Sequence, residues 1–93
     1  MFSLKVVTPN STFYEDQVDM AIFRTTVGDR AILKGHIPIV AGIKEGKLRI
    51  KKDGGRFRTA DIGRGFVTVN SDTETVILIE SAAWAKMRFN NEN

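Results

Sequence analysis

The chain contains no cysteine, which removes a disulfide framework and any thiolate metal site. Histidine occurs once, at His36, so a zinc site of three or four ligands has no supply of imidazoles. The carboxylates are not clustered as calcium ligands. There is no Gly-x-Ser-x-Gly elbow, no Gly-x-x-x-x-Gly-Lys-[Ser/Thr] phosphate loop and no Gly-x-Gly-x-x-Gly turn, and Gly63-Arg64-Gly65 is too short to stand for either of the last two. A catalytic site needs a nucleophile, a base and a group that orients them, close together. None is legible here, so no enzyme activity and no cofactor are expected. No apolar run approaches the ~20 residues of a membrane helix. Met1-Phe2-Ser3-Leu4-Lys5 is strand-like at once, and no signal or transit peptide is expected.

What is present fits one domain. Ninety-three residues support a single modest core. Hydrophobic residues at 42% and charged residues at 27% are ordinary for a globular fold and far from a disordered composition. The net charge of +3 comes from 14 Lys and Arg scattered among 11 Asp and Glu, a weak pull toward acidic partners or a membrane surface.

Period-two alternation dominates. Phe2, Leu4 and Val6 alternate with Ser3, Lys5 and Val7 before a Thr8-Pro9-Asn10-Ser11 turn. Val18, Met20 and Ile22 alternate with Asp19, Ala21 and Phe23, a strand with its second face partly covered. Ile39-Val40-Ala41-Gly42-Ile43 and Val76-Ile77-Leu78-Ile79 are apolar on both faces and are expected to be buried on both. Leu48 and Ile50 point inward from Lys47–Lys51, Asp53-Gly54-Gly55 makes a tight hairpin turn, and Phe57 and Thr59 share a face of the return strand. About eight to ten short strands predict an all-β fold, a flattened β-sandwich of two antiparallel sheets over residues 1–85. Residues 81–89 are expected to form one or two frayed helical turns with Trp84 packing back on the sheet, and residues 86–93 a disordered tail.

The stretch from Gly28 to Ile39 holds the single histidine and one of the two prolines. It reads as a shaped loop, since Gly28 and Gly35 accept positive φ and Pro38 fixes its own φ and extends Ile37. Such loops usually present a surface to a partner. His36 suits fixing the turn before Pro38, or partner contact, better than catalysis, although its titration range leaves a general base or pH switch open. Glu15-Asp16 reads as a solvated turn rather than an acid–base pair. Lys51, Lys52, Arg56 and Arg58 form the densest basic patch. With Phe57 alone interleaved, and facing away from Arg56 and Arg58, the patch favours a solvated hairpin tip. A small nucleic-acid-binding barrel of the oligonucleotide-binding class remains the alternative.

Taken in order, the features are more specific. Leu4-Lys5-Val6-Val7-Thr8-Pro9, then Phe13-Tyr14-Glu15-Asp16-Gln17-Val18-Asp19, then Gly28-Asp29-x-x-Ile32-Leu33-x-Gly35-His36-x-Pro38-Ile39 are followed by Ile43-Lys44-x-Gly46-x-Leu48-Arg49-Ile50 and Gly65-Phe66-Val67-x-Val69. In this order and spacing the chain resembles the amino-terminal β-sandwich domain of the epsilon subunit of F-type ATP synthase, over roughly residues 2 to 85. Arg30, Ala31, Lys34 and Arg64 depart from residues common in that family. The resemblance implies a noncatalytic rotor subunit of the central stalk, peripheral on the cytoplasmic side of the bacterial inner membrane and not an obligate homo-oligomer. It implies contact with the c-ring through Thr26, Val27, Gly28, Asp29 and Arg30, and with the gamma subunit through Thr8, His36, Ile37 and Ile39. Gly35 and Pro38 would shape the loop. Nucleic acid and direct membrane insertion are not expected. The family's carboxy-terminal helical pair is not seen in the sequence, so the inhibition and ATP binding that some members carry there are not expected either.

Overall fold

In the computed structural model the described residues are 1–85, and they form ten strands and no helix. The expected tail, 86–93, lies outside the described residues. The strands are β1 (Phe2–Val7), β2 (Thr12–Val18), β3 (Met20–Thr25), β4 (Gly28–Leu33), β5 (Ile39–Ile43), β6 (Gly46–Lys51), β7 (Phe57–Ile62), β8 (Gly65–Val69), β9 (Thr75–Ile79) and β10 (Ala82–Trp84).

Pairing runs β10-β7-β6-β3-β5-β8-β9-β1-β2, with β4 attached to β3. One layer is β10-β7-β6-β3-β4 and the other β5-β8-β9-β1-β2, so the expected sandwich is present. The ladder passes between layers at the end of β3, where Thr25 pairs with Ile43 and Lys44 N–H donates to the Arg24 carbonyl at 3.0 Å. Neighbours pair antiparallel except β1 and β9, which run parallel. Parallel neighbours need a long connection, and here the rest of the sandwich lies between them in sequence.

The core is the inward parity of nearly every strand: Phe2, Leu4 and Val6 from β1, Ala21 and Phe23 from β3, Leu48 and Ile50 from β6, Val67 and Val69 from β8, Ile77 and Ile79 from β9. Burying each large aliphatic or aromatic side chain contributes about 1.5–3 kcal/mol. Two turns show how local chemistry fixes register. Asp53 (φ 55°) and Gly54 (φ 67°) take the left-handed conformations that a two-residue hairpin requires, and Gly55 N–H donates to the Lys52 carbonyl at 2.9 Å. At the β3–β4 hairpin the buried Thr25 hydroxyl donates to the Gly28 carbonyl at 2.6 Å and accepts from Val27 N–H at 3.2 Å.

Four expectations are corrected. Residues 28–33 are strand rather than loop, because Ile32 is buried opposite Ala21 while the ladder to β3 satisfies the backbone. Residues 82–84 are strand rather than helix, paired along β7 with Trp84 opposite Ala60. Glu15 and Asp16 lie within β2, not at a turn. In β3 the fully buried parity is Ala21, Phe23 and Thr25, with Met20 and Ile22 on the partly covered outer face.

Candidate functional site

The strands expected to be buried on both faces are not. In them Val40 is 77% and Leu78 50% exposed, and Phe66, in the strand between them, is 62% exposed. Register puts these on one outer face of the β5-β8-β9-β1 layer. Gly42, Phe66, Leu78 and Val7 form one cross-strand row. Val40, Thr68, Val76 and Lys5 form the next. The aliphatic and aromatic side chains here meet water although they pack beside one another, an arrangement that marks an interaction surface. Reading the sequence strand by strand missed this face, but its signal was present: a strand apolar on both parities in a two-layer fold needs a second cover, and the described residues provide none.

The predicted contact residues occupy the borders of that face. Thr8 closes the turn after β1, its N–H donating to the Ser11 carbonyl at 2.9 Å and its hydroxyl to the same carbonyl at 3.2 Å. The cleft beside it is lined by Val7, Pro9, Gly65, Leu78 and Ile79, with the exposed Arg64–Glu80 ion pair (3.6 Å) at its rim. His36 lies at the other end of the layer, beyond Ile39, which pairs with Val69. The structure therefore does not bring Thr8 and His36 together. They stand at diagonally opposite corners, roughly 20 Å apart by strand spacing and rise. Ile37 is exposed, whereas Ile39 packs on the core and its neighbour Val40 is the side chain facing outward.

The corner around His36 is built from hydrogen bonds. Gly35 takes φ +88° with open space where a Cβ would stand, so its conformation rather than crowding calls for glycine there. His36 N–H donates to the Leu33 carbonyl at 3.0 Å. His36 Nδ1 lies 2.6 Å from the Ile37 carbonyl oxygen; a carbonyl only accepts, so Nδ1 carries the proton. The ring is thus tied to the backbone of the residue before Pro38.

Thr26, Val27, Gly28, Asp29 and Arg30 form the tip and return of the β3–β4 hairpin, at the same end of the molecule as Thr8. Thr26 N–H donates to the Gly42 carbonyl at 3.2 Å, and Val27 is 78% exposed. Asp29 is held by Arg24 Nε at 3.3 Å across the strand pair. Arg30 is half-buried.

The other outer face carries cations. Lys47 is paired with Asp61 at 2.5 Å, while Arg49 and Lys51 stand over the Phe57 ring at 5.3 and 5.7 Å. Phe57 does face away from Arg58, whose guanidinium stacks on Trp84 at 3.8 Å. Phe57, which has Arg49 and Lys51 beside its ring, is 39% exposed. Lys52 donates to Asp16 at 2.5 Å, and this bond holds the Asp16 carboxyl below its ordinary value and the Lys52 ammonium above its own. Burial raises Tyr14. Among the described residues no group of three or more His, Asp or Glu is placed to hold a metal ion, and each buried side-chain polar atom has a partner.

Among the described residues this is a strand-only sandwich with an uncovered apolar face and hydrogen-bonded corners at its rim, features typical of an interaction module. Its sequence says which one: residues 1–85 match the family described as "ATP synthase, Delta/Epsilon chain, beta-sandwich domain", and the chain belongs to that family. The ATP synthase epsilon chain of Alkaliphilus oremlandii is 52% identical over 83 residues, covering 89% of this chain and 60% of the relative. That of Ruminococcus albus is 39% identical over 85 residues, covering 91% and 63%. The chain thus spans about 60% of the length of these relatives. In fold it is similar to a chain of the Euglena gracilis mitochondrial ATP synthase OSCP/F1/c-ring structure, with a TM-score of 0.82, 24% identity, and 87% of this chain and 51% of that one covered. A chain of the Tetrahymena thermophila mitochondrial ATP synthase central stalk/c-ring structure gives a TM-score of 0.75 at 15% identity, covering 88% and 65%.

Proposed function

We propose that this chain is the sandwich module of a noncatalytic central-stalk subunit of an F-type ATP synthase, docking on the gamma subunit and the c-ring and so coupling ion translocation to ATP synthesis. The observation that carries this is the uncovered apolar face through Val40, Phe66 and Leu78 in a member of the epsilon family. Gamma covers that face, with Phe66 and Leu78 at its centre, Thr8 at one corner and His36, Ile37 and Ile39 at the other. A permanent interface of this kind buries roughly 2,000 Å² or more with an apolar middle. The hairpin from Thr26 to Arg30 projects from the Thr8 end toward the c-ring, where Val27 supplies an apolar tip and Asp29, shared with Arg24, and Arg30 supply charges that set register. Torque passes through such a connector only if it deforms little, and a core at crystal-like packing density has low compressibility. No helix among the described residues is long and apolar enough to cross a membrane. The module sits at the membrane periphery, on the cytoplasmic side in a bacterium, through its partners.

The test is binding to purified gamma subunit, measured by calorimetry. The unmodified chain binds, and Phe66→Ser combined with Leu78→Ser weakens binding at least about 30-fold, as expected for central apolar anchors. The fold is kept because both side chains are exposed. No binding by the unmodified chain, or equal binding by the double variant, overturns the proposal.

A further inference from the structure

Thr73 is the one β-branched residue among the described residues at positive φ (61°), and it is 1% exposed. That backbone region is a genuine outlier for a β-branched side chain, and residues held there cluster at functional sites. Its own turn does not need a hydroxyl. Between β8 and β9 the turn is closed by Asn70, whose Oδ1 accepts from Asp72 N–H and Glu74 N–H, both at 2.9 Å. Thr73 N–H donates to the Asn70 carbonyl at 3.0 Å, and the Thr73 carbonyl accepts from the Thr75 hydroxyl at 3.1 Å. Glycine or asparagine would meet those demands with less backbone strain. What Thr73 adds is its Oγ1, which accepts from Gly35 N–H at 2.9 Å, 38 residues away in sequence.

We infer that Thr73 is a positioning residue: its hydroxyl, held in place by the strained backbone, pins the Gly35 amide and so fixes the corner that presents His36 and Ile37 to the partner. The Gly35 amide is an anchor point of the corner, because Gly35 sits one residue before His36 and is itself in the left-handed region. The bond joins the corner to the β8–β9 turn, beyond the last β5–β8 pair, Ile39 with Val69. This rests on the proposal that His36 and Ile37 meet the gamma subunit.

The experiment compares Thr73→Gly, which relieves the backbone and removes the hydroxyl, with Thr73→Ser, which keeps it. Amide hydrogen exchange at Gly35 and dissociation of the complex with gamma are measured for the full chain beside its melting temperature. Gly35 is expected to exchange at least about tenfold faster in Thr73→Gly, with parental exchange restored in Thr73→Ser, and the glycine variant leaves gamma several-fold faster at an unchanged melting temperature. If Gly35 exchanges at the parental rate in Thr73→Gly, or as fast in Thr73→Ser as in Thr73→Gly, the hydroxyl is not the anchor and the inference falls. Faster exchange with unaltered gamma dissociation keeps Thr73 as the anchor and sinks the gamma role of the His36 corner instead. A purely structural role would lower the melting temperature of both variants together, and that outcome also overturns it.

Discussion

Replacing Gly65 by alanine should do more damage than replacing any glycine that sits at positive φ. A Cβ built at Gly65 falls 1.8 Å from the Leu78 carbonyl oxygen and 2.7 Å from the Ile79 Cα. Ordinary contact begins at 3.4 Å, so backbone must move by 1.6 Å (3.4 − 1.8), and no rotamer change relieves it because the clashing atoms are main chain. Moving β8 from β9 by that amount breaks the ladder where Gly65 pairs with Ile79 and Phe66 with Leu78, and the adjoining bond from Glu80 N–H to the Arg64 carbonyl at 3.0 Å. Two or three backbone hydrogen bonds at about 1 kcal/mol each give a loss of about 3 kcal/mol, at the upper end for overpacking. In a domain of this size that is a fall of roughly 12–24 °C in melting temperature. Gly35→Ala meets nothing within 4 Å, so its cost is conformational, about 1–2 kcal/mol. Thermal unfolding followed by circular dichroism separates the two. A Gly65→Ala chain melting within about 5 °C of the parent, or above Gly35→Ala, would refute the close-contact argument.

Two more outcomes are expected. Trp84→Ala removes a ring stacked on Phe13 (4.6 Å), on the edge of Tyr14 (5.7 Å) and under Arg58 (3.8 Å); about 3 kcal/mol should be lost in urea unfolding, with faster amide exchange along β10, and an unchanged midpoint contradicts the contribution of these ring contacts. Lys52→Met should raise the Asp16 carboxyl back toward the ordinary carboxylate range, read by carbon NMR titration. Because the folded value is the lower one, the Asp16 contribution is present above 3.8 and lost as pH falls through the folded value. Because the Lys52 value is raised, its contribution is present below 10.5 and lost as pH rises through the folded value. Identical titration of Asp16 in both chains removes the coupling.

Most of the strands, the Asp53-Gly54 hairpin and the inward parity of β1 and β6 were legible because alternation and turn chemistry are local signals. Residues 28–33 were not, because their alternation is spoiled: Asp29 and Arg30 are adjacent charges, and only pairing to β3 across the Thr25–Gly28 turn makes a strand of them. Trp84 was expected to pack back on the sheet and does, but as part of a strand. Alanine and tryptophan carry no period over three residues, and the neighbouring β7 decides their backbone. The site divides the same way. His36 and Gly35 announced themselves by rarity and backbone freedom, whereas Phe66, Leu78 and Val40 were hidden inside patterns that equally describe a buried strand. Thr73 had no signal at all, since a left-handed threonine looks in sequence like any turn threonine and its partner is 38 residues away. Those four residues share one property: each is explained only by what lies across from it. For Thr73 that neighbour is Gly35, inside the fold. For Phe66, Leu78 and Val40 no covering layer exists among the described residues, and under the proposed function a partner supplies it. Among the described residues an apolar stripe stays exposed at the centre of one layer while every buried side-chain polar atom is bonded, and contiguous apolar patches of this kind are where interaction sites are found.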